Sequence, residues 1–412
     1  MNAAEFRAHA LSERRIVVCV GCGGVGKTTI AAALALEAAR GGRRALVLTI
    51  DPARRLADAL GVQALGNEPQ PIPEATLSRL GVPAEGSLWA MMLDMKRTFD
   101  DLVDRFAESD EARERILANP IYQHVSDALA GSVEYSAMEK VYELVEGGGF
   151  DLIVVDTPPA QHALDFLEAP QRLLEFLDSR LVHMLIHPAF AAGRFGFRLF
   201  HRSARRVLQV IERLTGIGFI EDLSEFLLAF EGMAEGFRAR AGHVRALLLG
   251  PEASFVLVAG PERESTEQAV QFLDRLEAFG VPLAGVVANR VRVWPSGGEP
   301  PEGDFAAGDV DRLRDALADQ EGPDFPAELA ARAAVDAAAG YAALVRRDEQ
   351  TLGGLRERTL AVGRFWSRVP ELPRDVHDLD GLDRIGRFMF EPPKEEALGP
   401  RGQAEAGVRR PA

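Results

Sequence analysis

Cysteine is nearly absent from this chain: 412 residues hold two, Cys19 and Cys22. A disulfide framework is thereby excluded, and so is a four-ligand zinc site, because their single C-x-x-C has no second pair to complete it. Long apolar runs are missing too. No stretch approaches the ~18 apolar residues that a membrane helix needs, and the N-terminus has charges without the apolar core or cleavage site of a secretory signal. Positive charge is in short supply: 47 Lys and Arg stand against 62 Asp and Glu, a net charge of -15. That argues against nucleic acid as a partner, since phosphate neutralisation needs a basic face. The absences read together as a cytoplasmic protein of ordinary globular composition. The length exceeds what one compact core usually holds, so a main domain with a sizeable insertion is expected.

The eight histidines supply no convincing metal site. His183 and His187 stand one helical turn apart with His201 nearby, but Pro188 disturbs a helix there, and two ligands are half of a zinc site.

What is present begins at Gly21-Cys22-Gly23-Gly24-Val25-Gly26-Lys27-Thr28, which fits the phosphate-binding pattern G-x-x-x-x-G-K-[ST]. The apolar run Ile16 to Val20 precedes it as a buried strand, and Thr29 to Ala39 follows as an alanine-rich helix. A loop in that context opens a helix whose amides and positive end face phosphates, so the chain is read as binding a nucleoside triphosphate with Mg²⁺. Gly23, Gly24, Val25, Gly26, Lys27, Thr28 and Thr29 are the candidate binding residues. Lys27 is placed to reach the terminal phosphates and Thr28 to ligate Mg²⁺. Cys19 falls in the strand and Cys22 in the loop, so both read as packed thiols rather than a redox pair.

Further strands are expected at Arg44 to Ile50, Phe150 to Asp156, Phe255 to Ala259 and Pro282 to Ala288, separated by helical spacing. The Pro- and Gly-rich residues 62 to 90 read as irregular connection, 93 to 146 as a helical insertion, 165 to 250 as a second helical insertion and 309 to 365 as helix. Residues 1–13 are expected as a tail, 14–390 as the nucleotide domain and 391–412 as a disordered end. The rhythm implies an α/β fold: a P-loop NTPase with a mostly parallel sheet covered on both faces, carrying a helical insertion subdomain. Ligands in such sheets gather at strand carboxyl ends, and Lys27, Asp51, Asp156 and Asn289 all follow such ends. Phosphoryl transfer to water needs positioning and charge neutralisation above all. Lys27, Asp51 and Asp156 are therefore the candidate catalytic residues, with Asp51 placing the attacking water. Thr28, Asp51 and Asp156 are the candidate Mg²⁺ residues, direct or through water.

Residues 179 to 211 contain no Asp or Glu but include Arg180, Arg194, Arg198, Arg202, Arg205 and Arg206 among many apolar side chains. Such a mixture suits a membrane surface or an apolar partner helix, and equally a helical subdomain with a solvated basic face.

The loop with Thr29, then Asp51-Pro52-Ala53, then Asp156-Thr157-Pro158-Pro159 together resemble the ArsA/Get group of deviant Walker ATPases, which includes the arsenite-pump ATPase and the tail-anchored-protein targeting factor. The resemblance extends to Phe255-Val256-Leu257-Val258 with Pro261-Glu262-Arg263, to Val286-Val287-Ala288-Asn289-Arg290 and to Val369 through Val376, covering roughly residues 14 to 390. It implies an ATPase that works as a nucleotide-gated dimer, with Asp51 in a first switch polarising water and a second switch running from Asp156 to about Leu167. It also implies that Asn289 reads the adenine opposite a loop from Pro370 to Pro373, and that residues 179–236 form the client- or membrane-binding surface, peripheral at the membrane. Position 22 departs from the pattern: the group carries there a second lysine that reaches across the dimer, and cysteine brings no fixed charge. The implied working unit is then a homodimer or a heterodimer with a lysine-bearing paralogue. Two alternatives follow, a slow nucleotide-binding regulatory subunit of a hetero-oligomeric ATPase and the ATPase subunit of an arsenite or anion efflux system. Soft arsenite needs thiolates that this chain lacks, and the paired cysteines with which eukaryotic targeting factors clamp a dimer through zinc are also missing.

Overall fold

The computed structural model describes residues 1–51, 53–107, 109–120, 122, 132–158, 175, 239–240, 242–295, 298–301, 307–321 and 326–391. Its framework is an eight-stranded sheet. The strands are β1 (Ile16–Gly21), β2 (Arg44–Thr49), β3 (Gln70–Pro71), β4 (Ser87–Met92), β5 (Leu152–Asp156), β6 (Ala253–Ala259), β7 (Leu283–Val291) and β8 (Phe365–Pro370). Their order across the sheet is β3-β4-β2-β5-β1-β6-β7-β8. All neighbours pair in parallel except β3, which runs antiparallel to β4 at the edge, where Pro71 costs no interior ladder bond. β1, β5 and β6 are buried along their whole length, as strands covered on both faces must be.

The helices, in chain order, are α1 (Ala3–Phe6), α2 (Lys27–Arg40), α3 (Arg55–Leu60), α4 (Glu74–Arg79), α5 (Met95–Phe106), α6 (Asp110–Ala118), α7 (Ser132–Glu146), α8 (Arg263–Ala278), α9 (Ala307–Glu321), α10 (Ala327–Ala361) and α11 (Leu379–Phe390). α2 is the central one. Its run of Ala and Leu buries almost every residue from Ile30 to Ala39 against the sheet, and small side chains let helix and strands approach closely. Within 93–146, where a helical insertion is expected, lie α5, α6 and α7, with Val103, Ile116, Met138 and Val141 buried. Of the helical stretch expected at 165–250, residues 242–249 are helical, while most of it, including the histidines and arginines singled out above, lies outside the described residues. The end expected at 391–412 lies outside them too, save Glu391.

Three expectations need correction. The expected irregular connection at 62–90 contains β3, α4 and β4, and β4 is a full interior neighbour of β2. The expected helical stretch to 365 gives way at Phe365 to an eighth strand, β8. The expected tail at 1–13 is built in: α1 continues into a π-helical turn at Arg7–Ser12, and Phe6, Ala10 and Leu11 are buried. Phe6 stacks on Phe365, ring centroids 4.3 Å apart, so the N-terminus closes the core over β8.

Candidate nucleotide-binding site

The strand ends determine what meets. In register, Asp156 at the end of β5 lies beside Cys19 of β1 on one side and Thr49 of β2 on the other. Neighbours in register share a face, so the Thr49 hydroxyl reaches the carboxylate and donates to Oδ2 at 2.8 Å. From α2, the Thr28 hydroxyl donates to the same oxygen at 2.7 Å. Asp156 Oδ1 is buried and has no hydrogen-bond partner among the described residues. Burial pushes the Asp156 carboxyl up to about 6, against the hydrogen bonds from Thr28 and Thr49 and the nearby Lys27 charge.

Two glycines make the loop. At Gly21 any Cβ would collide with the Val258 carbonyl of β6, so β1 and β6 can close up only around glycine. Gly26 caps α2 at φ 87°, a left-handed conformation, and a Cβ there would strike Asn289 Nδ2. That amide nitrogen donates to the Val25 carbonyl at 2.8 Å, tying the end of β7 to the loop. Lys27 is buried, and its Nζ donates to the Cys22 carbonyl at 2.9 Å, folded back on its own loop. Burial pulls the Lys27 ammonium below its ordinary range, opposed chiefly by Asp156.

Over these groups opens a cavity of about 570 Å³. Gly23, Gly24, Gly26, Lys27, Thr28 and Thr29 line its floor, and Asp51, Asn289 and Pro370 line its walls. Of the other residues singled out from the sequence, Val25 and Asp156 are buried beneath it and do not line it. The strand ends thus bring groups from β1, β2, β5, β7 and β8 to one crevice. Asp51 is held at its mouth: Oδ1 accepts from the Ala53 amide at 2.9 Å, and Oδ2 pairs with Arg55 at 3.2 Å. Pattern reading missed Thr49, Arg55 and Arg290. Thr49 is in principle legible as a polar residue closing an apolar strand. Nothing local marks Arg290, whose Nη1 donates to the Gly24 carbonyl at 3.2 Å.

Both thiols are free and buried. Cys22 Sγ lies 3.7 Å from the Ser265 carbonyl, and burial pushes both thiols above their ordinary range. Among the described residues no group of three or more His, Cys, Asp or Glu is placed to hold a metal, and no helix is long and apolar enough to cross a membrane.

The donor set does fit a hard cation beside phosphates: one hydroxyl and one carboxylate, with a buried oxygen lacking a partner, next to a cluster of backbone amides at a helix N-terminus. Comparison with known proteins agrees with this geometry. A family model described as anion-transporting ATPase matches residues 14–297. The chain is 26% identical over 284 residues to ATPase GET3 of Malassezia globosa, covering 69% of this chain and 74% of that protein. It is 25% identical over 276 residues to ATPase get3 of Schizosaccharomyces japonicus, covering 67% and 74%. A shorter match, 33% identical over 171 residues, is to an arsenical pump-driving ATPase of Halobacterium salinarum; it covers 41% of this chain and 26%, about a quarter, of that protein's length. With a family match over 14–297, the chain belongs to the anion-transporting ATPase family, and ATP hydrolysis is the chemistry that this membership carries.

Proposed function

We propose that this chain is a nucleotide-gated switch ATPase, in which ATP bound with Mg²⁺ controls, through a dimer, a helical surface for an apolar client or a membrane. The observation that carries the nucleotide half is Asp156: a buried carboxylate with one oxygen saturated by Thr28 and Thr49 and the other without a partner, beneath a glycine loop. Thr28 and Asp156 would hold Mg²⁺, which when bound neutralises charge on the phosphate oxygens. Lys27 exchanges the Cys22 carbonyl for phosphate oxygens, a stronger acceptor for an ammonium. Asn289 and Pro370 hold the base. Asp51 orients a water and accepts its proton as the water oxygen bonds to the terminal phosphorus and the bridging oxygen leaves with ADP. For that, Asp51 must give up Arg55, a half-exposed pair of modest strength.

The switch half rests on the resemblance at Asp51 and from Asp156 onward. The proposed client surface, 179–236, lies outside the described residues. A second reading is favoured by Cys22: without a cation at that position the chain is a slow nucleotide-binding subunit whose rate rises beside a lysine-bearing paralogue. An arsenite role is the least supported, because both thiols are buried at the phosphate loop and burial disfavours the thiolate that As(III) requires.

Light scattering on the purified full chain with Mg²⁺ and either ADP or a non-hydrolysable ATP analogue, alone and with such a paralogue, tests the reading. An analogue-dependent dimer is expected. A chain that stays monomeric throughout, with a rate strictly proportional to its own concentration, would overturn nucleotide gating.

A further inference from the structure

The end of β7 is irregular in a way that nucleotide binding by Asn289 does not explain. Pairing with β8 runs Ala288 to Arg368 and then Val291 to Pro370, so β7 spends one residue more than its partner over that step, a β-bulge. In a regular strand, successive side chains point to opposite faces. Here Asn289 and Arg290 both reach the same loop, on the successive carbonyls of Val25 and Gly24. The bulge achieves this by placing Arg290 at φ 58°, which among the described residues is the sole positive φ outside glycine. Arginine does not favour that conformation, and bulges beside active sites commonly serve to re-aim a side chain.

The re-aimed guanidinium has a poor partner. It is exposed, it lines the cavity, and among the described residues no carboxylate pairs with it. Its neighbour Arg292, by contrast, pairs with buried Asp348 at 3.2 Å and with Glu371 at 3.6 Å. A neutral carbonyl at 3.2 Å offers a guanidinium one hydrogen bond and no opposite charge, whereas an anionic oxygen offers both. Lys27 is stationed in the same way on the Cys22 carbonyl two residues away in the loop.

We propose that Arg290 is a nucleotide-contacting residue: with ATP in the cavity its guanidinium leaves the Gly24 carbonyl and pairs with the phosphate chain bound in the same subunit, supplying a positive charge at a loop where Cys22 supplies none. This rests on the ATP reading given above. Planarity and reach suit arginine to phosphate oxygens, and a side chain on the loop's own wall needs no partner subunit to arrive.

The test is equilibrium binding of Mg²⁺-ATP and steady-state hydrolysis in the full-length R290Q, R290K and R290G variants beside wild type and K27A. R290Q is expected to weaken ATP binding about 10- to 100-fold, the range for one charge-assisted contact, and to flatten the salt dependence of binding. R290K keeps the charge and is expected to recover most of that loss. R290G removes the charge and relieves the backbone, so it binds ATP as weakly as R290Q while melting, without nucleotide, at or above the wild-type temperature. R290Q and R290G binding like wild type while K27A does not would overturn the Arg290 role and leave the ATP site standing. A wild type that binds no ATP would overturn both. R290K as weak as R290Q, with the salt dependence of wild type unchanged in both, would show that charge at this position does not carry binding and would overturn the proposal.

Discussion

Thr28 and Asp156, 128 residues apart in sequence, are joined by a 2.7 Å hydrogen bond from hydroxyl to carboxylate, and Thr49 saturates the same oxygen. The second oxygen is left bare in a buried site, so the ionised carboxylate is costly in the protein without metal or nucleotide. The folded carboxyl titrates at about 6 against its ordinary 3.8. Between those values the folded state binds more protons than the unfolded one, so stability falls as pH rises through that window, and above 6 the full cost, roughly 3 kcal/mol, is present. Asp156→Asn is therefore expected to melt above wild type at pH 7.5 when free of metal and nucleotide, the gap narrowing as pH falls from 6 toward 4. Mg²⁺-ATP should raise the melting temperature of wild type by more than that of the variant. Calorimetry across that pH range checks both; a variant melting below wild type at pH 7.5 would contradict the account.

Asp51 offers a cleaner separation of binding from chemistry. Asparagine preserves the Oδ1 bond to the Ala53 amide and removes the charge paired with Arg55, so local structure should hold. Asp51→Asn is expected to bind ATP about as wild type does and to hydrolyse it 10²- to 10⁴-fold more slowly, the usual size of a lost general base. Single-turnover hydrolysis with a separate binding measurement reads the two effects. Unchanged hydrolysis would remove Asp51 from the reaction.

The central strands and the loop were legible because each announces itself locally: an apolar run, glycines at set intervals, a lysine and a threonine, an acid closing β5. β4 was not, because Ser87 to Met92 sits among Pro and Gly and becomes a strand only by pairing with β2. β8 was hidden behind the 35-residue helix α10, with Gly363 as the lone break between them. The burial of Phe6 depends on Phe365 and Phe390, more than 350 residues away, which no periodicity in the first thirteen residues encodes. At the site, residue types at strand ends were readable, and their partners were not. The Asn289 bond to Val25 and the positive φ of Arg290 exist only once β7 and the loop are folded together.

Position 22 tests what the loop lacks. The Cys22 thiol is tucked against the Ser265 carbonyl, while Gly23 and Gly24 beside it are exposed. A lysine would be driven out of that pocket by the cost of burying its charge next to Lys27, toward the open face of the loop. Cys22→Lys is expected to form a dimer with an ATP analogue more readily than wild type and to hydrolyse ATP on the order of tenfold faster or more, well within what a cation supplied across a subunit interface can give. The dependence of rate on protein concentration is the readout. A rate equal to wild type and strictly proportional to protein would show that charge at this position does not couple two subunits.

The N-terminal segment gives a prediction about stability that should spare the chemistry. Phe6 is fully buried, stacked on Phe365 at 4.3 Å and tilted against Phe390 at 5.9 Å, with Arg7 over the Phe390 ring at 4.4 Å. Truncating it leaves a cavity between α1, β8 and α11 that those rings cannot collapse to fill, because Phe365 is pinned by its pairing with β7. Phe6→Ala is expected to cost about 3–5 kcal/mol in urea unfolding at an unchanged m-value. β8 begins in this cluster and ends at Pro370 on the cavity wall, so its register with β7 should hold the far end in place. Hydrolysis measured well below the unfolding transition should then match wild type. A cost under ~1 kcal/mol would mean that the first thirteen residues behave as a tail after all, since surface changes fall in that range.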